Sequence, residues 1–155
     1  MFKDTTQIAI VVRDLYQAME TYVEEYGIGP WEIFNFNPET GSDMVVHDEP
    51  VDYSMRVAMA MVGNVQWELI EPLDDSSIYA EFLESHGGGL HHVCVTVNDY
   101  DDALATLRSK GHSVLQAGSY KGATFAYVST DRDLGVITEI VDEPSAAHIP
   151  DSTYP

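Results

Sequence analysis

Apolar positions along this chain fall into short alternating runs interleaved with runs at helical spacing. Gln7 to Asp14 (QIAIVVRD) and His92 to Asp99 (HVCVTVND) are β-branched runs of strand type, each ending in an aspartate. Each aspartate is placed to cap the segment that follows. Those segments, 15–26 and 100–110, read as helices: Ala18, Met19, Tyr22 and Tyr26 share a face in the first, and Ala103, Leu104 and Leu107 in the second. Gly27 and Gly111 stop them. A strand–helix unit therefore recurs at an offset of 85, from Gln7 to His92.

The ends of the two halves also match. WELIEP from Trp67 resembles TEIVDEP from Thr138, which sets Glu68 against Glu139 at an offset of 71. The offsets differ by 14, so the first half carries about 14 extra residues. Asn37 to Asp52 is the candidate: it is aperiodic and polar, with five acids and no Lys or Arg. It reads as a long loop or lid, a length that signals function. Trp31 to Phe36, Arg56 to Val62, Ser113 to Ala117 and Thr124 to Ser129 read as strands, so each half is β-α-β-β-β. The expected class is α+β, with two βαβββ modules (1–73 and 91–144) forming a cupped mixed sheet. Residues 74–90 link them through a short helix, Ser76 to Ser85, and a glycine-rich turn. The tail, 145–155, is expected to be extended and docked on a neighbour.

Alternation assigns the strand faces. Ile8, Ile10 and Val12 share the bulky face, which should pack under a helix; Gln7, Ala9 and Val11 share the other. By the same parity His92, Cys94 and Thr96 line a cavity and His91 points away from it. Glu68 and Glu139 sit inside apolar strands, where an unpaired carboxylate costs several kcal/mol to bury. A lone His or Glu in a strand is ordinarily structural or solvated. These four residues, Gln7, Glu68, His92 and Glu139, occupy two repeat-related pairs of positions, which separate structural roles do not explain. One divalent ion would satisfy both carboxylates, with an imidazole and an amide oxygen completing the set. One nitrogen and three oxygens with open positions suit Zn, Ni, Co, Mn or Mg.

Charge narrows the partners. The chain has 155 residues with 26 acidic and 7 basic side chains, a net charge of −19. Such a surface repels phosphate backbones and anionic headgroups, so neither nucleic acid nor a membrane surface is an expected partner. A hydrophobic fraction of 45% is that of a globular chain, so the acidity does not signal disorder. Val57 to Val62, the longest apolar run, is far short of a membrane span, and MFKD at the start has no signal-peptide core. Cys94 is alone and forms no internal disulfide. The expected location is cytoplasmic.

QIAIVVRDL (7–15), WELIEPL (67–73), GLHHV (89–93) and GVITEIV (135–141) resemble segments of the vicinal oxygen chelate superfamily, the glyoxalase and bleomycin-resistance fold. The spacing is most similar to the methylmalonyl-CoA epimerase-like branch. The resemblance covers nearly the whole chain up to Pro144. It implies paired modules cupping a divalent metal at Gln7, Glu68, His92 and Glu139, and a homodimer. Gln7 departs from the His common at the first position, although glyoxalase I enzymes of the zinc type also use Gln there. A single His in the set argues against ring-cleaving iron dioxygenases, which need two. The implied chemistry is epimerisation or isomerisation of a small carbonyl substrate, by proton abstraction next to the carbonyl through a metal-stabilised enediolate. Glu139 is the expected base by analogy with glyoxalase I, and Glu49 (or Asp48) of the 37–52 segment the opposing one. Glyoxalase I chemistry on a glutathione hemithioacetal and non-catalytic sequestration of a small molecule are the alternatives. Trp31, Phe34, Phe36, Tyr53 and Trp67 are candidates for an apolar pocket.

Overall fold

A computed structural model describes residues 1–142 and 149–155. The expected module end at 144 and the start of the tail at 145 lie outside the described residues. In chain order the elements are β1 (Thr5–Val11), α1 (Leu15–Tyr26), β2 (Trp31–Phe36), β3 (Gly41–Val46), β4 (Glu49–Pro50), β5 (Met55–Val62) and β6 (Val65–Pro72). After the linking helix α2 (Ile78–His86) come β7 (Gly89–Val95), α3 (Tyr100–Ser109), β8 (Val114–Tyr120), β9 (Ala123–Val128), α4 (Asp131–Leu134), β10 (Ile137–Asp142) and β11 (Ser152–Tyr154).

The helices start where their caps place them. Asp14 and Asp99 accept hydrogen bonds from the backbone N–H groups of Gln17 and Asp102, satisfying donors that a helix start leaves free. Gly27 ends α1 with φ +65°, a left-handed turn that favours glycine. Leu15 and Met19 of α1 bury against Trp31, Ile33, Ala58 and Leu69, with Ile10 and Val12 of the bulky β1 face packed beside them. Ala103 and Leu107 of α3 do the same against Val95, Ala126, Val128 and Ile140. No helix among the described residues is long and apolar enough to cross a membrane.

All strands join one mixed sheet in the order β11-β2-β5-β6-β1-β7-β10-β9-β8-β3-β4. The repeat is visible in it. Strands β2-β5-β6-β1 and β8-β9-β10-β7 mirror each other across an antiparallel β1–β7 seam, and β1–β6 and β7–β10 are both parallel.

The 37–52 segment is not a lid. Gly41–Val46 is a strand that pairs antiparallel with β8 of the other half, Gly41 with Tyr120 and Val46 with Gln116. Met44 and Val46 are buried. A register shift between Ser42 and Val45 breaks the alternation, which hides the strand from periodicity. Asn37 to Thr40 connect β2 to β3 directly, although the two strands lie near opposite ends of the sheet order. The sheet is therefore curled, and Phe36 of β2 comes within 5.8 Å of the Tyr120 ring of β8. The end of the tail docks on its own chain: β11 pairs with β2, covering that sheet edge, and the Asp151 carboxylate accepts from the Asn35 N–H at 2.7 Å.

Gly118 sits against the aromatic layer inside the curl. A Cβ there would lie 2.8 Å from the Tyr53 hydroxyl and 2.9 Å from the Phe125 ring. Tyr53 is fully buried and donates to the Ala117 carbonyl at 3.0 Å, so it has little room to yield. Gly118→Ala should cost about 1–3 kcal/mol in overpacking, seen as a lower Tm. An unchanged Tm would show that the aromatic layer gives way freely.

Candidate functional site

The four central strands, β6-β1-β7-β10, bring their polar residues to the concave face. Ala9 of β1 is opposite both Glu68 and His92, while Cys94 is opposite both Gln7 and Glu139. Opposed residues share a face, so this register gathers Gln7, Glu68, His92 and Glu139 on one side. His92 Nε2 lies 3.3 Å from Glu139 Oε2 and 3.5 Å from Glu68 Oε2. His92 is wholly buried, and Gln7, Glu68 and Glu139 are at most 7% exposed. Gln7 donates its amide Nε2 to Gln66 Oε1 at 2.8 Å.

Burial and crowding shift the ionisation of this cluster. Burial raises the Glu68 carboxyl above its usual range, with the Glu139 charge adding to the rise and His92 working against it. Burial also opposes the His92 imidazolium, but the two carboxylates outweigh it and carry the ring up to about 9. Among the described residues, Glu68 Oε2 and His92 Nε2 have no hydrogen-bond partner although both are buried. Such orphaned atoms are rare and ask for an explanation. A divalent cation would satisfy them, although among the described residues no three His, Cys, Asp or Glu side chains already stand as a set that holds one. Donors about 2.1 Å from a zinc-sized ion stand roughly 3–3.5 Å from one another, and the observed spacings are of that size.

His91 does not follow parity. Ala9 pairs with His92 but Ile10 pairs with Leu90, so His91 is the extra residue of a bulge. It turns inward, and its Nδ1 lies 2.9 Å from His92 Nδ1. Burial, with His92 and His86 nearby, pushes its ring down to about 3, so it stays neutral. Tyr79 and Phe82 pack on it, and Tyr127 packs against His92 with ring centroids 4.7 Å apart. His91 and Gln66 were both missed by strand alternation. For Gln66 the signal was available, since it shares the face of Glu68 two residues on.

Gln7, Glu68 and Glu139 open onto a cleft of about 820 Å³ in the concave face. Phe34 and Phe36 line it. Trp31 and Trp67 instead pack under α1 with Tyr22, and Tyr53 is in the core. Glu49 does not join the site. It is exposed on the short strand β4, reached through His47 and Asp48 in left-handed conformations, and does not line the cleft. Asp48, the other carboxylate considered for that role, is exposed in the same turn. Cys94 lines the cleft, but burial and Glu139 push its thiol well up, so it is not a ready nucleophile.

The comparisons with known proteins agree with this architecture. The ethylmalonyl-CoA/methylmalonyl-CoA epimerase of Cereibacter sphaeroides is 34% identical over 115 residues, which is 74% of this chain and 75% of that protein. An uncharacterized Bacillus subtilis protein, YqjC, is 31% identical over 107 residues, 66% of this chain and 76% of its own length. A solved methylmalonyl-CoA epimerase in complex with methylmalonyl-CoA and NH4+ superposes with a TM-score of 0.71 at 26% identity, covering 94% of this chain and 97% of that one. The family model for the glyoxalase/bleomycin resistance protein/dioxygenase superfamily matches residues 6–129. With its paired modules, its curled mixed sheet and that match, the chain belongs to the glyoxalase/bleomycin resistance protein/dioxygenase superfamily.

Proposed function

We propose that this protein is a divalent-metal-dependent epimerase or isomerase that moves a proton at the carbon next to a carbonyl. The observation that carries the reading is the convergence of His92 Nε2 with Glu68 Oε2 and Glu139 Oε2 within 3.5 Å at the floor of a cleft, two of these atoms being buried with no hydrogen-bond partner among the described residues. The relatives named as epimerases support an enzyme of this type.

His92, Glu68 and Glu139 would hold the ion. Gln7 would complete the set through its amide oxygen, its nitrogen being engaged by Gln66. When bound, the ion supplies Lewis-acid polarisation of a substrate carbonyl and stabilises charge on its oxygen. His91 keeps the His92 ring fixed from behind, the kind of support that orients a ligating imidazole. Glu139 borders the open cleft and acts as the mobile base, taking the proton from the acidified carbon and returning it. One carboxylate on one face suffices for isomerisation, while epimerisation needs a second proton carrier across the substrate. The apolar wall formed by Phe34, Phe36 and Phe125 keeps bulk water from the reacting carbon.

Elemental analysis of the purified protein should find a stoichiometric divalent ion. A chelator should lower Tm and end solvent deuterium entry into the product, and re-adding the ion should restore both. Absence of metal together with a Tm indifferent to chelator would remove the basis for the reading.

A further inference from the structure

In a chain of net charge −19 with seven Lys and Arg residues, the place of each cation matters. Lys121 stands at the edge of the cleft, between Tyr120 and Ala123, which line it. With Gly122 it forms the two-residue turn between β8 and β9, closed by the pairing of Tyr120 with Ala123. The φ angles of the two turn residues are +48° and +89°. A turn of this kind favours Asn-Gly, and a lysine held at positive φ is strained. Strain of this sort gathers where a side chain has a task.

The side chain turns towards the cleft wall. Lys121 Nζ lies 5.1 Å from the ring centre of Tyr120 and 5.6 Å from that of Phe34, and both rings line the cleft. No other Lys or Arg among the described residues sits over a ring that lines it. Phe34 is on β2 and Tyr120 on β8, and their ring centres are 6.5 Å apart. Each of those strands is three steps from the central β1–β7 seam, one on either side. The point where they meet therefore lies across the cleft from the floor that holds Glu68, His92 and Glu139.

The ammonium is only partly engaged. It donates to the Ile149 carbonyl at 2.9 Å, while the Asp151 carboxylate stands 3.6 Å away, too far for a hydrogen bond. Asp151 is held back, because its other oxygen accepts from the Asn35 N–H at 2.7 Å and from Asn35 Nδ2 at 3.3 Å. Lys121 carries more donors than its one bond uses. Glu32 and Asp142, exposed elsewhere on the rim, repel an anion. Away from the floor, a negative group therefore has its place beside Lys121.

We propose that Lys121 anchors a carboxylate of the ligand at the wall opposite the floor. The ligand is then a keto acid with its charge several carbons from the reacting carbonyl, and with an apolar stretch between them that meets Phe36, Met55, Val57 and Phe125. The place of the carbonyl at the floor rests on the metal-assisted reading; the place of the charge does not.

The test is calorimetric titration of the full chain with 7-oxooctanoic acid and with its methyl ester, which lacks the charge. Any ion at the floor is common to parent and variant and drops out of the comparison. Lys121→Asn suits the turn, so the fold should hold. It should raise the Kd of the acid about fivefold, as expected of an exposed ion pair, and leave that of the ester within about twofold. Asp151→Asn removes the competing carboxylate and keeps an oxygen for Asn35, so it should tighten binding of the acid alone. An acid whose Kd Lys121→Asn moves no more than the ester's overturns the proposal, as does an acid that the parent does not bind. Solvent deuterium entry beside the ketone, measured on the zinc-loaded chain, reads proton transfer separately. An acid that binds through Lys121 without exchanging would remove the proton-transfer reading and leave the anchor standing.

Discussion

Glu139→Gln should lower solvent deuterium entry into the product by about 10²–10⁴-fold, the contribution typical of a positioned general base. The substitution is nearly isosteric at a residue only 6% exposed, so packing should survive. An amide still offers an oxygen to a cation but cannot take up a proton. Metal content by elemental analysis should therefore fall far less than exchange does. That split separates the base from a mere ligand, because a pure ligand role would reduce both together. Exchange within tenfold of the parent protein would exclude Glu139 as the base.

His92→Ala should have the largest effect on metal affinity, a loss of about 100-fold or more, read by titration with Co(II) and its visible absorption. It removes the one imidazole in the set and leaves Glu68 and Glu139 facing each other with no positive group between them. Breaking such a buried pair costs about 3–5 kcal/mol, at the low end here because both carboxylates border the cleft. The metal-free variant should melt lower accordingly. Adding Glu68→Gln to it should recover part of the lost Tm, since one of the two opposed charges is gone, without recovering the metal. A His92→Ala protein that binds Co(II) as the parent does would place the metal elsewhere.

The repeat made much of this legible. Asp14 with Gly27 and Asp99 with Gly111 bracket the two helices closely, because caps act locally. Glu68 and Glu139 stood out because each interrupts an apolar strand at a matching position. Alternation failed where the backbone departs from regular pairing. The bulge at His91 turns inward a side chain that parity sends outward, and the shift between Ser42 and Val45 disguises β3. β11 is three residues long and carries no periodicity. Glu49 was misplaced for another reason: an acidic stretch looks the same whether it arches over a cup or forms the outer hairpin of a sheet, and only the partner strand β8, distant in sequence, decides.

The pairing of β3 with β8 also changes what the repeat means for folding. A duplicated chain would ordinarily be expected to fold half by half. Here the first half sends a strand to finish the sheet of the second, while β1 and β7 join the two at the centre. Neither half can satisfy its own sheet edges, so a cut between Leu73 and Asp74 would yield two fragments with open, sticky strands rather than two small proteins. Closing that ring brings residues far apart in the chain together late, at a high entropic cost. The two-fold pattern in the sequence should thus belong to a molecule that melts in one cooperative step, read as a single calorimetric transition.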